Sequence, residues 1–236
     1  MNLQRSVRRF LIWFGVVAVF GGGHRLQAGD EKGSIRGRIS VPEPDRVTED
    51  LLQSRSLSRY EMHIHNTQDF VPPYLLSEKA AVYIESVPDW KPSDDAPAVV
   101  PSLNQTQMLF RPLVLPILAG TTVSFPNGDN LFHNVFSYSQ TRVFDLGRYP
   151  RGQTRTVRFD RPGVVKVYCD IHSYMYATIL VLTNPYFTVP DDDGAYSIPG
   201  VPPGTYRLTL WYDRKKIATK AVTVEAGKAA TVNFEY

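Results

Sequence analysis

From residue 29 onward the apolar positions fall in short runs of Val, Ile, Tyr, Thr and Phe, broken by clusters of Pro, Gly, Asn and Asp. No long stretch keeps a helical period, so the pattern predicts strands and turns. Strands are expected at 34–41, 80–85, 108–110, 114–118, 122–126, 134–137, 154–159, 163–168, 177–182, 195–198, 205–212, 215–224 and 230–234. Many short strands separated by turn residues imply an all-β fold, a sandwich or a barrel. Residues 50–74 stand apart as polar and weakly periodic, closed by Pro72 and Pro73. A short helix over 49–59 is expected there.

Residues 1–28 read as an export signal: Arg5, Arg8 and Arg9, an apolar run from Phe10 to Phe20, then Leu26-Gln27-Ala28 as a cleavage ending. The run is shorter than the about 20 residues a spanning helix needs, which points to cleavage and a periplasmic product rather than membrane insertion. The Arg8-Arg9 pair leaves both export routes open. The signal also changes the charge picture. Of 26 basic residues four lie within it, and it has no acidic residue, leaving 22 basic against 23 acidic. A nearly neutral mature chain without runs of like charge excludes nucleic acid and membrane surfaces as partners.

One cysteine in an exported chain has no internal disulfide partner, and metal binding accounts for a retained thiol. That cysteine opens Cys169-Asp170-Ile171-His172-Ser173-Tyr174-Met175, where a strand end, a loop and a strand start turn three donors toward one point. His133 lies upstream in Phe132-His133-Asn134-Val135. One thiolate, two imidazoles and a thioether suit copper, whereas structural zinc sites seldom use a thioether. The competing reading is a buried Cys and Met in a sheet with surface histidines. His63 and His65 could share one strand face, but no thiol or paired carboxylate stands beside them, and they are taken as loop residues.

Residues 108–182 resemble the cupredoxins. Pro112-Leu113-Val114-Leu115-Pro116-Ile117-Leu118-Ala119-Gly120-Thr121-Thr122-Val123-Ser124-Phe125 is similar to the entry strands of that family, His133-Asn134-Val135 to its first ligand strand, and Arg161-Pro162-Gly163-Val164-Val165-Lys166-Val167-Tyr168-Cys169 to the strand that delivers the thiolate. The spacing Cys-x₂-His-x₂-Met is similar to the short-loop amicyanin type. The resemblance implies one type 1 copper ion, with His133, Cys169 and His172 as strong ligands and Met175 as a long axial contact. It also implies that Asn134, through backbone or side chain, ties the ligand loops together and tunes the thiolate. Ile171 and Ser173 depart from the family, which often has proline in or just after this spacer.

A second resemblance lies at the C-terminus. Asp192-Asp193-Gly194-Ala195-Tyr196-Ser197-Ile198-Pro199-Gly200-Val201-Pro202-Pro203-Gly204-Thr205-Tyr206 is similar to the carboxypeptidase-regulatory-like, transthyretin-type sandwich. The opening strands of that module have counterparts far upstream, in Gly33-Ser34-Ile35-Arg36-Gly37 and Ala80-Ala81-Val82-Tyr83-Ile84. A Greek-key cupredoxin sandwich at 97–184 is therefore expected to be inserted in, or to adjoin, a smaller sandwich built from 29–96 (with the irregular stretch 50–74) and 185–236. The copper domain is expected to be soluble when expressed alone.

The expected function is single-electron transport between redox protein partners, not catalysis, because four donors close the metal shell against substrate. Copper delivery and a metal-free interaction module are the alternatives. His172, beside Tyr174 and Tyr176, is the expected exit for the electron. The partner identity and the oligomeric state are left open by the sequence.

Overall fold

The computed structural model describes residues 31–41, 74–88, 90–91 and 100–236. The export signal, the 49–59 helix and His63/His65 lie outside the described residues. The described elements, in chain order, are β1 (Gly33–Ser40), α1 (Leu76–Lys79), β2 (Ala80–Ile84), β3 (Asn104–Thr106), β4 (Leu109–Arg111), β5 (Val114–Leu118), β6 (Thr121–Pro126), β7 (His133–Ser139), β8 (Arg142–Tyr149) and β9 (Thr154–Phe159). They continue with β10 (Gly163–Tyr168), β11 (Tyr176–Leu182), β12 (Phe187–Thr188), β13 (Ala195–Val201), β14 (Gly204–Tyr212), β15 (Lys215–Val224), β16 (Ala229–Thr231) and β17 (Phe234–Glu235). The protein is all-β, and among the described residues no helix is long and apolar enough to cross a membrane.

The middle of the chain forms a sandwich. One sheet has the order β5-β11-β10-β7-β8, with β5 running parallel to β11; the strands β6 and β9 pair separately, as do β3 and β4. Inward-facing Val123, Phe125, Val135, Val157, Phe159, Val165 and Val167 alternate with outward residues and fill the space between. Cys169 and Met175 belong to this same apolar cluster.

The two ends of the chain build the other sandwich together. β1 lies between β13, antiparallel to it, and β16, parallel to it, while β17 extends its far end. β2 lies between β12 and β14 in a sheet completed by β15. Ile35, Ile39, Val82 and Ile84 from the upstream strands share one core with Ile198, Leu208, Leu210, Val222 and Phe234. A smaller cluster of Ala81, Val114, Leu180, Leu182 and Trp211 joins the sandwiches, so the outward face of β11 and β5 is covered by β2 and β14.

Two glycines of the opening motif have a steric reason. A Cβ on Gly37 would sit 1.7 Å from the Val232 carbonyl oxygen, and one on Gly33 would sit 2.5 Å from that of Glu225. Both obstacles are backbone, which cannot swing away. Gly37→Ala is therefore expected to destabilise the protein by about 2 kcal/mol or more, the scale of overpacking, read as a lower denaturant midpoint at unchanged slope.

The sequence pattern missed three strands and a turn of helix. β8 shows mostly exposed or half-exposed positions, with only Tyr149 buried, so it carries no clean alternation. β3, β12 and α1 have four residues or fewer. The run expected at 230–234 divides in two, because the Asn233 side chain accepts the Arg38 amide at 2.9 Å and replaces a ladder bond between β16 and β17.

Candidate metal centre

His133 opens β7 opposite Tyr149 of β8 and is fully buried. Cys169 follows the last residue of β10, and Met175 precedes the first of β11. The seven-residue loop between these strands closes on itself: the Met175 amide donates to the His172 carbonyl at 3.0 Å, and the Cys169 amide donates to the Met175 carbonyl at 3.3 Å. The fold thereby brings together donors that lie far apart in sequence. His133 Nδ1 stands 3.1 Å from His172 Nδ1, and Cys169 Sγ stands 3.7 Å from His172 Nδ1. One donor atom from each of the three residues lies within 4.8 Å of the others. Met175 is fully buried in the apolar cluster that contains Cys169.

Asp129 is the residue the sequence reading overlooked. Its Oδ2 accepts a hydrogen bond from His133 Nε2 at 2.9 Å, and its two oxygens accept the amides of Gln107 at 2.6 Å and Met108 at 2.7 Å. A carboxylate on Nε2 fixes the imidazole tautomer and ring orientation, leaving Nδ1 to face the other donors. The Asn127 side chain shapes this loop, accepting the Asp129 amide and donating to the carbonyls of Leu131 and Tyr149. The four-residue spacing from Asp129 to His133, following Asn-Gly, was the available signal.

Asn134 acts through its backbone on the thiolate and through its side chain elsewhere. Its amide donates to the cysteine sulfur. Its side-chain Nδ2 donates to Asp145 Oδ1 at 2.7 Å, tying β7 to β8 rather than joining the two ligand loops.

The electrostatics pair His133 with Cys169. Burial pushes the Cys169 thiol up, but the hydrogen bond with His133 and the amides of Asn134, Ile171 and His172 outweigh it and hold the thiol below its usual range. Burial alone would push His133 down; the hydrogen bonds to Asp129 and Cys169 reverse this and raise it from 6.5 to about 9. Asp129 is held low by the same contact and by the two amides, against the opposite push of burial.

A raised histidine stabilises the metal-free fold below its ordinary pKa and loses that contribution as pH rises toward 9, while the proton on Nδ1 competes with any metal. Copper affinity is therefore expected to climb with pH up to about 9. In Asp129→Asn the His133 titration followed by NMR in metal-free protein should move below about 9, and the rise in affinity should end correspondingly earlier.

The donor set fits copper. Two imidazoles and one thiol converge in a largely buried pocket, with a buried thioether on the same loop, a combination softer than structural zinc sites employ. Tyr174 and Tyr176 are half-buried and pack against Tyr74, Leu109 and Leu113; the Tyr174 hydroxyl donates to Met108 Sδ at 3.5 Å and that of Tyr176 to Asp213 at 2.9 Å. The exposed apolar side chains beside the two histidines are their sequence neighbours, Phe132 at 57% exposure and Ile171 at 39%.

Comparison with known proteins places relatives on both modules. The family of carboxypeptidase regulatory-like domains matches residues 173–236, a span that begins inside the Cys169 to Met175 loop and takes in β11. No curated protein matches the chain. Among solved structures, a Cu-containing nitrite reductase from Thermus scotoductus SA-01 is 25% identical over 42% of this chain and 26% of its own, with a TM-score of 0.36. The chain thus spans about a quarter of that protein's length. A purple cupredoxin from Nitrosopumilus maritimus is 32% identical over 30% of this chain and 78% of its own (TM-score 0.28). Amicyanin from Paracoccus versutus is 24% identical over 37% and 85% (TM-score 0.34). With its ligand motif, its strand order and its C-terminal match, the chain is similar to the cupredoxins across its middle and to the carboxypeptidase regulatory-like domains across its end.

Proposed function

We propose that the protein is an exported type 1 copper protein that carries single electrons between redox partners. The observation that carries this reading is the convergence of His133 Nδ1, His172 Nδ1 and Cys169 Sγ within 4.8 Å. His133, Cys169 and His172 would hold one copper ion, with Met175 as a weak fourth donor. When bound, copper supplies a one-electron couple between its cuprous and cupric states.

The chain's own residues prepare the site for that role. Asp129 orients His133, and the amide of Asn134 stabilises the thiolate form of Cys169. Burial of His133 and Cys169 keeps water from the donors, while His172, half-exposed, lies nearest the surface of the three. One electron would enter from a reduced partner protein and leave to an oxidised one, with no bond made or broken. Four donors leave no open position for a substrate, which favours a carrier over an enzyme. Residues 1–28 would direct the chain to the periplasm.

Voltammetry of the copper-loaded mature chain tests the proposal. A reversible one-electron wave that disappears on replacement of copper by zinc is expected. Absence of the wave, together with rapid loss of copper to a chelator, would replace the carrier reading by copper delivery.

A further inference from the structure

The turn between β14 and β15 belongs to the C-terminal sandwich, yet its tip reaches Tyr176, the first residue of β11 after the metal loop. Asp213 adopts a positive φ of 53°, a conformation Asp tolerates better than most residues. The turn is fixed from its own side: the Asp213 amide donates to the Lys79 carbonyl at 2.8 Å, and Trp211 Nε1 donates to the Asp213 carbonyl at 2.9 Å. It then meets the copper-side sheet at several points. The Tyr176 hydroxyl donates to Asp213 Oδ1 at 2.9 Å, and the Arg214 guanidinium stacks 3.4 Å from the Tyr176 ring centroid. Lys166 Nζ donates to the Arg214 carbonyl at 2.6 Å and lies over the Trp211 ring.

Tyr176 is the residue immediately after Met175, and on β11 it pairs with Tyr168, the residue immediately before Cys169. Both ends of the ligand loop therefore leave from the one strand position that the turn grips. Inside the loop the Met175 amide holds the His172 carbonyl and the Cys169 amide the Met175 carbonyl, the Ile171 and His172 amides donate to Cys169 Sγ, and Arg148 of β8 bonds the exposed Asp170. These contacts shape the loop internally or at its exposed side, while its direction relative to His133 is set where the chain enters and leaves it, and metal ligands need a rigid supporting shell.

We propose that the Asp213-Arg214 turn is a positioning clamp on the metal loop: by gripping Tyr176 it holds Cys169, His172 and Met175 in register with His133. This rests on the copper reading above, and it gives the C-terminal sandwich a role in setting the properties of a site to which it contributes no ligand. Asp213, Arg214 and Tyr176 act only through the loop and touch no donor atom, so they are positioning residues.

Arg214→Ala and Tyr176→Phe, each in the full mature chain, test the clamp. Arg214 is exposed, so its replacement leaves both cores intact. In metal-free protein the amides of Cys169 and Met175 should exchange with solvent about tenfold faster in each variant, the factor expected when one cation–π contact or one hydrogen bond to a charged group is lost. The amides of Val165 and Ile179, in the core of the β10–β11 pair, should keep their wild-type rates. Equal rates at Cys169 and Met175 in wild type and both variants would overturn the clamp, and so would acceleration at all four positions, which is a loss of global stability. In copper-loaded protein both variants should shift the reduction potential; a potential unmoved by either would remove the ligand-positioning role. A wild type lacking the thiolate absorption band defeats the copper reading alone, and the exchange comparison still decides the clamp.

Discussion

Cys169→Ser is expected to abolish the intense visible band of the copper-loaded protein and to weaken copper binding by more than about a hundredfold. Loss of a residue that merely orients a ligand already costs roughly 10- to 100-fold in metal affinity, and here the ligand itself is removed. The band arises from charge transfer between a thiolate and cupric copper, and Cys169 is the only cysteine in the chain. A serine hydroxyl is a harder donor and stays protonated at neutral pH, so neither the colour nor the soft coordination survives. The hydrogen bonds from His133 and the amides of Asn134, Ile171 and His172 are placed for a thiolate. Met175→Leu provides the contrast, since it removes only the weak fourth donor: the band should persist with a changed reduction potential. The check is a copper titration followed by visible absorption. A coloured Cys169→Ser protein would end the type 1 assignment.

The second large effect concerns the architecture. Residues 185–236 expressed alone are expected not to fold, although the regulatory-like match covers them. β1 is the middle strand of one sheet and β2 an inner strand of the other, so the fragment would lack a partner for β13 and β14 on the side each now pairs. It would also lose Ile35, Ile39, Val82 and Ile84, all essentially inaccessible to solvent in the whole protein. Truncating a single buried Ile or Leu to Ala costs about 2–5 kcal/mol, against a total stability of about 5–15 kcal/mol for a domain. Four such losses are as large as that whole margin. Circular dichroism should show no cooperative thermal transition; a sharp melt would mean that the C-terminal strands form a module of their own. The same packing bears on 97–184, expected from the sequence to be soluble alone. Without β2 and β14 its outer face would present Val114, Leu180 and Leu182 to water, which lowers solubility even if the copper site assembles.

The residue types that the fold gathers at the candidate metal centre could be read in order. A thiol, an imidazole and a thioether separated by two residues each must leave one short loop, and the histidine at the head of an earlier apolar run is the one the fold brings beside them. Gly33-Ser34-Ile35-Arg36-Gly37 was legible as the opening strand of the regulatory-like module, while the close approach of the Glu225 and Val232 backbone to its glycines came only from the fold. Strands with clean alternation, such as β6 and β10, were visible for the same reason: solvent on one face and core on the other write a period of two into the chain. β8 escaped because neither of its faces is well buried.

What the sequence by itself determined was local: donor identities, their spacing, the strand period and the turns, since each depends on residues within a few positions of one another. Tertiary structure alone decided that Asp129 bonds to the far nitrogen of His133, that the Asn134 side chain turns to Asp145, that the hydroxyls of the half-buried Tyr174 and Tyr176 bond to Met108 and Asp213, and that Arg214 stacks on Tyr176. β1 pairs with strands more than 150 residues away, and such contacts are chosen by which apolar faces and unpaired edges remain once each local element has formed. That choice is a property of the whole fold, so no window of sequence contains it.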